Sequence, residues 1–190
     1  MDIGPHINKL VEDTNQYDFR ESSIERYSTI LDMVLQGLPL GEMLHALVLL
    51  IEAQKIGTRA SVLSCAAPNL PEEYNNAISG TEIGIDVGSC GAAAFTRERV
   101  IVEDIEHHPN WKNFKEIPLK AGLKACWSEP IKDSNQNVLG TFAMYYDTIK
   151  SPSEQDLHLI QEAARLASLA IERSRGMHFQ RLSSKIFNSL

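Results

Sequence analysis

The fold is set by a segment that begins with Gly88-Ser-Cys-Gly-Ala-Ala-Ala-Phe95 and ends with Val138-Leu-Gly-Thr-Phe-Ala-Met-Tyr-Tyr146. Between these ends lie two further runs, Val100-Ile-Val-Glu-Asp-Ile105 and Ala125-Cys-Trp-Ser-Glu-Pro-Ile131. The two glycines around Cys90 let the backbone turn tightly and approach a neighbour closely, and the alanines favour a short helix. The β-branched and aromatic runs are typical of strands. The segment therefore predicts a sheet built around a hollow.

Alternation along the last two runs predicts which side chains share a face of that sheet. In one run, Cys126 and Ser128 lie on the face opposite Trp127, and in the other, Thr141 and Tyr145 share a face. The faces that carry Cys126, Ser128 and Tyr145 mix small and polar groups. We expect these two faces to form the floor of a pocket.

The composition is that of a globular domain. The chain has 190 residues, of which 43% are hydrophobic, and a formal net charge of −7. This charge argues against nucleic acid or an anionic membrane as a partner, because phosphate binding needs a basic face. No apolar run approaches the roughly 18 residues of a transmembrane helix, and the N-terminus has no signal-peptide pattern. Three cysteines, an odd number without metal-like spacing, indicate reduced thiols in the cytoplasm.

Helices are predicted at both ends of the chain. Ser22 and Glu25 form a capping-box pattern at the start of the first helix, which should end at Gly37. A buried helix over about 41–54 and a strand over 58–67, which contains Cys65, should follow. The last helix should begin with Ser151 as its cap. Its two apolar stripes indicate contact with both the sheet and another helix, and they raise the prospect of a parallel dimer.

The ordered set of motifs over residues 35–175 resembles a GAF domain of bacterial signalling proteins. The segments that carry the resemblance are Asn69-Leu-Pro-Glu-Glu-Tyr74, Gly88-Ser-Cys-Gly91, Pro109-Asn-Trp111, Gly122-Leu-Lys-Ala-Cys-Trp-Ser128 and Leu139-Gly-Thr-Phe-Ala143. The resemblance implies an α+β fold with a central six-stranded antiparallel sheet, the terminal helices on one face and a ligand cavity on the other. It divides the chain into a leader (1–21), the domain with its flanking helices (22–175) and a linker (176–190).

The resemblance also implies a sensory domain that binds a small molecule and passes the ligand state through its terminal helices. Relatives bind cyclic nucleotides, haem, bilins or small metabolites, or leave the cavity empty, so the cofactor stays unknown. Such domains usually lie upstream of a diguanylate cyclase, phosphodiesterase, histidine kinase or transcription activator. We expect a cytoplasmic homodimer with no catalytic activity and no metal site. The residues expected to contact the ligand are Ser89, Cys90, Phe95, Trp111, Cys126, Ser128 and Tyr145.

Three alternatives stay open at this point. The domain could be a dimerisation module without a ligand. Cys90 and Cys126 could be a redox pair or small buried residues, and one of them could anchor a bilin. Some GAF proteins are thiol enzymes that reduce free methionine-R-sulfoxide with paired cysteines, one of them in a Gly-x-Cys-Gly turn. Residues 88–91 match that turn, but the His-Ile-x-Cys-Asp segment that carries the catalytic cysteine is missing.

Two pairs of side chains have competing interpretations. His107 and His108 could bind metal or haem, but adjacent histidines without a third ligand favour a solvated loop. Trp111 and Trp127 could stack on a flat ligand. Of these two, Trp111 is the better candidate because its loop lies over the cavity in the family pattern, while Trp127 could belong to the core on the other face.

Overall fold

The computed structural model, which describes residues 19–55, 57–62, 66–78 and 80–187, contains one sheet covered on both faces. The leader up to residue 18 and Cys65 lie outside these ranges. The helices are α1 (Phe19–Gln36), α2 (Leu40–Gln54), α3 (Glu72–Ile78), α4 (Gly88–Thr96), a 3-10 helix (Pro109–Trp111), α5 (Glu116–Lys120) and α6 (Glu154–Phe187). The strands are β1 (Thr58–Val62), β2 (Val100–Val102), β3 (Ala125–Lys132) and β4 (Val138–Tyr146).

The sheet is antiparallel, with the strand order β1-β4-β3-β2. The α+β class is therefore confirmed. Six strands were expected, whereas the described residues form four. Residues 81–87, which lead into α4, adopt irregular backbone and turns, and Thr81, Glu82 and Ile83 line a cavity instead of pairing with a strand. None of the helices within the described ranges has the length and apolar character needed to cross a membrane.

Each face of the sheet carries its own apolar core, as the alternation along β3 and β4 predicts. On one face, the buried side chains of Trp127 and Met144 pack with α1, α2 and α6. On the other face, Cys126 and Tyr145 pack with residues of α3 and of the loops around the 3-10 helix. Since neighbouring residues of one strand point to opposite faces, β3 and β4 are shared by both cores.

Helix α1 ends where the sequence predicts but does not begin there. Its last residue is Gln36, and Gly37 follows with φ of +70°, a conformation that glycine adopts without steric penalty. The helix already includes Phe19, so Ser22 lies inside it and the prediction of a cap at Ser22 is wrong. Arg20 and Glu21 are good helix formers, and a cap pattern does not interrupt a helix that continues through it.

Helix α6 is capped by Ser153, not by Ser151 as predicted. The backbone N–H and the hydroxyl of Ser153 donate to Asp156 Oδ2 at 2.9 and 2.7 Å, and the Asp156 N–H donates to Ser153 Oγ at 3.2 Å. This is a reciprocal capping box. Lys55 Nζ, just beyond α2, lies 2.7 Å from Asp156 Oδ1 and ties the start of α6 to the end of α2.

Helix α6 also continues through Gly176 to Phe187, where a less regular linker was expected. The domain boundary at residue 175 stays a prediction.

The Asp156 carboxyl makes the contribution of the Ser153 cap to stability depend on pH. Burial raises its pKa, but hydrogen bonds from Lys55 and Ser153 outweigh burial and hold the pKa below its ordinary value. Since the folded pKa lies below the unfolded one, the ionised carboxylate stabilises the fold at neutral pH. That contribution is lost as the pH falls from about 4 through the folded pKa.

We expect Ser153→Ala to lower the free energy of unfolding at pH 7 by about 1 kcal/mol, because the first turn of α6 loses its cap. Asp156→Asn should also destabilise the fold at pH 7. When the pH then falls to acidic values, this variant should lose less additional stability than the unchanged protein. Urea unfolding at neutral and acidic pH measures both effects. Ser151→Ala is the matched control and should change stability by less than about 0.5 kcal/mol. Equal losses for both serine variants would assign the cap to Ser151 instead.

Candidate functional site

The site is built on the close approach of α4 to the sheet. Gly88 has φ of +59°, and a Cβ at this position would lie 3.2 Å from the ring of Trp111. A Cβ at Gly91 would lie 2.8 Å from the Cβ of Val87. A larger residue at position 88 would push the start of α4 away from Trp111, and one at position 91 would clash with Val87, the residue that precedes the helix. The two glycines thus provide the tight turn and close approach that the sequence predicts.

A chain of hydrogen bonds fixes α4 between the sheet and the covering loop. The indole Nε1–H of Trp111 donates to Ser89 Oγ at 3.1 Å, and the Ser89 hydroxyl donates to the backbone carbonyl of Cys126 at 3.1 Å. Ser89 is fully buried, so both bonds are shielded from water. The loop, α4 and β3 are therefore held together by one hydroxyl group.

A cavity of about 340 Å³ lies beside α4, within the size range of small-molecule sites. The sheet contributes a floor of polar groups, and α3, α4 and α5 with the intervening loops contribute mostly apolar walls. The lining residues are Ser61, Tyr74, Ala77, Ile78, Thr81, Glu82, Ile83, Val87, Gly88, Ser89, Cys90, Gly91, Ala94, Trp111, Phe114, Ile117, Pro118, Leu139, Gly140, Thr141 and Tyr145.

The half-buried thiol of Cys90, which belongs to α4, faces this floor and lies among its hydroxyl groups. The Ser128 hydroxyl donates to Cys90 Sγ at 3.3 Å, and the Tyr145 hydroxyl oxygen lies 3.6 Å from the same sulfur. Hydrogen bonding from the Cys126 thiol lowers the pKa of Cys90, burial opposes this, and bonds from Ser128, Tyr145 and Thr141 lower it further, to about 6. Cys90 is therefore positioned to carry a thiolate at neutral pH.

The groups around Cys90 stay protonated. Burial raises the pKa of the Cys126 thiol, and the nearby charge of Cys90 raises it further. Burial likewise raises the pKa values of the Tyr145 and Tyr74 hydroxyls. The Tyr145 hydroxyl lies 3.4 Å from Ser61 Oγ, and its ring meets that of Tyr74 edge to face with centroids 5.8 Å apart. The floor therefore presents neutral hydrogen-bond donors next to one acidic thiol.

The structure brings six of the seven predicted site residues together. Four of them line the cavity, namely Ser89, Cys90, Trp111 and Tyr145. Cys126 and Ser128 are fully buried and do not line the cavity, and the Ser128 hydroxyl lies behind Cys90, where it donates to its sulfur.

Phe95 departs from the prediction. It is 59% exposed and is not part of the cavity lining. The reason is the phase of α4, which turns Cys90, Gly91 and Ala94 towards the cavity, so that the next residue after Ala94 faces solvent.

Other lining residues were not singled out from the sequence. Thr141 could have been found, because it precedes Tyr145 by four residues on the same face of β4. Ser61 and Tyr74 reach the cavity from β1 and α3, and no local pattern distinguishes them from ordinary core residues.

The histidine loop has a structural role in this arrangement. His107 Nδ1 lies 2.8 Å from Asp104 Oδ2, and the Asp104 carboxylate also accepts the backbone N–H of Glu106 at 3.0 Å. His108 Nδ1 accepts the backbone N–H of Asn110 and so caps the 3-10 helix. Within the described ranges, no group of three or more His, Cys, Asp or Glu residues is placed to hold a metal ion.

Trp127, the second tryptophan, lies in the core on the helix-covered face. The ring centroids of Trp127 and Tyr146 are 4.4 Å apart, and Lys150 Nζ lies 5.8 Å from the Trp127 centroid. Trp127 is thus separated from the cavity by the sheet. Of the two tryptophans, Trp111 is the one that lines the cavity.

The chain resembles a known sensor protein in sequence. It is 34% identical over 191 residues to the methyl sulfide methyltransferase-associated sensor of Methanosarcina acetivorans. This match covers 95% of the chain and 19% of the sensor, so the chain spans about a fifth of the length of its curated relative.

Solved structures share the fold at low identity. The free methionine-R-sulfoxide reductase of Neisseria meningitidis, solved with its substrate, has a TM-score of 0.63 and 17% identity, over 86% of this chain and 96% of that chain. The GAF domain of a phosphoenolpyruvate-protein phosphotransferase from Acinetobacter has a TM-score of 0.60 and 13% identity, over 82% and 96%. At these identities the likeness shows the fold alone.

The family assignment rests on the match of a whole-domain sequence model. The model described as the GAF domain matches residues 23–172, which is most of the chain and includes every element from α2 to β4. The antiparallel sheet and the helices on its two faces agree with this match, and the chain therefore belongs to the GAF domain family.

Proposed function

We propose that the chain is the ligand-binding sensory domain of a signalling protein, and that its cavity binds a small, uncharged and largely apolar molecule. Membership of the GAF family and the sensor relative support a sensory or regulatory role. The ligand proposal is carried by the cavity itself, which has apolar walls and a floor of hydroxyl and thiol groups. Sites of this kind bind small molecules through apolar contact and orient them with a few polar groups.

The charges around the cavity favour a neutral ligand. Among the described residues that line it, Glu82 is the one with an ordinarily charged side chain, and no Lys, Arg or His contributes. A phosphate or carboxylate that entered the cavity would lose its hydration without gaining a cationic partner, and this costs free energy. A Cys90 thiolate on the floor would repel such an anion further.

The polar floor would orient one end of the ligand. The hydroxyl groups of Ser61, Thr141 and Tyr145 all belong to residues that are at least nine-tenths buried, and all three line the cavity. Because the raised pKa keeps the Tyr145 hydroxyl protonated, it can donate a hydrogen bond to a carbonyl, ether or thioether acceptor. The rest of the ligand would contact Trp111, Phe114 and the aliphatic walls.

The sheet offers a route by which ligand state could reach the terminal helices. Tyr145 on β4 lines the cavity, while its neighbours Met144 and Tyr146 belong to the core that includes α6. A displacement of Tyr145 by a ligand would therefore also move Met144 and Tyr146, which pack in the core on the helix side. Packed interfaces of this kind convert small shifts into changes of helix position.

The terminal helices also carry an exposed apolar surface, which supports a homodimer. Leu35 on α1 is 75% exposed and Phe179 on α6 is 72% exposed. A Cβ at Gly37 would lie 2.9 Å from the sulfur of Met177, so the end of α1 packs beside α6 near Phe179. A second copy of the chain that presents the same surface would bury these side chains in a symmetric interface.

The cytoplasmic location and the bacterial origin stay predictions, as do the kind of output domain and the lack of catalytic activity. The free methionine-R-sulfoxide reductase shares the fold with this chain, but this chain lacks the His-Ile-x-Cys-Asp segment that carries the catalytic cysteine of such enzymes. Loss of free methionine sulfoxide in the presence of a thiol reductant tests that alternative, and an absorption spectrum tests for haem or a bilin.

We expect uncharged probes to stabilise the protein in a thermal-shift assay, with indole and short dialkyl sulfides as the first candidates. Dialkyl sulfides are included because the relative's name associates it with a methyl sulfide methyltransferase. A probe at about a hundredfold excess over its Kd should raise the melting temperature by about 5–10 °C. Indole-3-acetate, which adds a carboxylate to the same ring, should stabilise far less. Stronger stabilisation by the anion would contradict the neutral-ligand proposal.

Two neighbouring residues of α4 provide the matched test of the site. Ala94→Leu fills the cavity and should abolish the thermal shift, whereas Phe95→Leu changes a solvent-facing side chain and should preserve it. Stabilisation that survives in Ala94→Leu but disappears in Phe95→Leu would place the ligand elsewhere. If no probe stabilises the protein while a dimer persists, the ligand-free dimerisation module becomes the better interpretation.

We expect the double variant Leu35→Glu/Phe179→Glu to shift the protein from dimer to monomer in sedimentation velocity experiments, because two charges would be buried at the proposed interface. Ile149→Glu is the control, since Ile149 is 63% exposed but lies outside both helices. A dimer that withstands the double variant, or that Ile149→Glu disrupts, would move the interface away from α1 and α6.

A further inference from the structure

We infer that Cys90, which lines the cavity, and Cys126, which is buried behind it, form a redox couple, in which a hydroperoxide entering the cavity oxidises Cys90 and Cys126 then closes a disulfide. Cys90 on α4 packs against the apolar cluster of the cavity side, to which Cys126 on β3 belongs, and the neighbouring residue Ser89 donates to the Cys126 carbonyl. Both are reduced in the structure. This activity is independent of the proposed binding of a neutral ligand.

Access and orientation favour Cys90 as the reacting thiol. It is half-buried and lines the cavity, whereas Cys126 is fully buried behind it. Cys90 also lies in the first turn of α4, where the helix dipole favours negative charge. A small oxidant that enters the cavity therefore meets Cys90 first.

Hydrogen bonds stabilise the anionic form of Cys90. Ser128 and Tyr145 place their hydroxyl groups 3.3 and 3.6 Å from its sulfur. Because its pKa is lowered to about 6, the thiol ionises at neutral pH far more readily than an ordinary cysteine. The thiolate is the form of cysteine that attacks peroxides.

Cys126 is placed to resolve the oxidised sulfur. The backbone carbonyl of Cys126 accepts the Ser89 hydroxyl at 3.1 Å, so the residue next to Cys90 is anchored directly to Cys126. Because burial raises the pKa of Cys126, this thiol stays protonated and does not compete for the oxidant. The pair thus combines an accessible nucleophile with a protected partner, the usual arrangement of a thiol sensor.

The reaction balances in two steps. The Cys90 thiolate attacks one oxygen of the hydroperoxide, the O–O bond breaks, and the departing alkoxide takes up a proton, which leaves Cys90 as a sulfenic acid. Cys126 sulfur then attacks Cys90 sulfur, the S–O bond breaks, and the hydroxide leaves as water with the Cys126 proton. Two thiols and one hydroperoxide thus give one disulfide, one alcohol and one water. The disulfide replaces the Cys90 thiolate, so the Ser128 hydroxyl loses its anionic acceptor and the cavity floor loses its neighbouring negative charge.

The test uses the full chain with Cys65→Ser, so that only the two cysteines of interest remain. After treatment with hydrogen peroxide, blocking of free thiols and proteolysis, mass spectrometry should find Cys90 linked to Cys126 within one chain. In the Cys126→Ser variant, dimedone should trap a sulfenic acid on Cys90. In the Cys90→Ser variant, Cys126 should remain a free thiol. Linkage between chains, or two free thiols after treatment of the parent protein, would overturn the proposal.

A pH profile separates activation of Cys90 from a merely structural role of its neighbours. The rate of Cys90 alkylation by iodoacetamide should rise with a midpoint near pH 6. Ser128→Ala should move this midpoint upward by about one pH unit, because the thiolate loses a hydrogen bond. Ser134→Ala, in the exposed hairpin after β3, is the control and should leave the midpoint unchanged. A midpoint at about 8.5, the value of an ordinary thiol, would contradict the assignment.

Discussion

The whole cavity side of the protein depends on the close contact between α4 and β3. One buried hydroxyl, that of Ser89, accepts the indole N–H of Trp111 and donates to the backbone of Cys126. Trp111 can approach Ser89 closely because Gly88 carries no side chain where the indole ring lies, and Gly91 leaves room for Val87 at the start of α4. If α4 moved outward, the loop would lose its attachment, Cys90 would leave its hydroxyl neighbours, and the cavity would lose both a wall and its acidic thiol.

The features that the sequence predicts well are those with a short period or a fixed backbone requirement. Side chains alternate strictly along a strand, so the separation of Cys126 and Tyr145 from Trp127 and Met144 follows from the order of residues alone. The positive φ of Gly37 and the end of α1 follow from the special freedom of glycine. These rules depend on local geometry, and the rest of the fold does not change them.

The features that the sequence does not predict depend on contacts between distant segments. Nothing local tells which side of α4 faces the sheet, and an error of one residue rotates the choice by a quarter of a turn or more, which is why Phe95 was misplaced. Ser151 and Ser153 are both suitable caps, and Lys55, about a hundred residues away, favours the arrangement with Asp156. The acidity of Cys90 arises from groups on β3 and β4 that meet only in the folded chain.

The two tryptophans lie on opposite sides of the same sheet, and this gives the protein two separate optical reporters. The Trp111 indole is hydrogen-bonded to Ser89 beside the cavity. The Trp127 ring packs on the ring of Tyr146, and the Lys150 ammonium lies 4.1 Å from the Tyr146 centroid. Indole emission varies with the polarity around the ring. In a variant whose single tryptophan is Trp111, the emission would report binding in the cavity. In a variant whose single tryptophan is Trp127, it would report rearrangement among the helices. The delay between the two signals would measure how fast the sheet relays a stimulus from one face to the other.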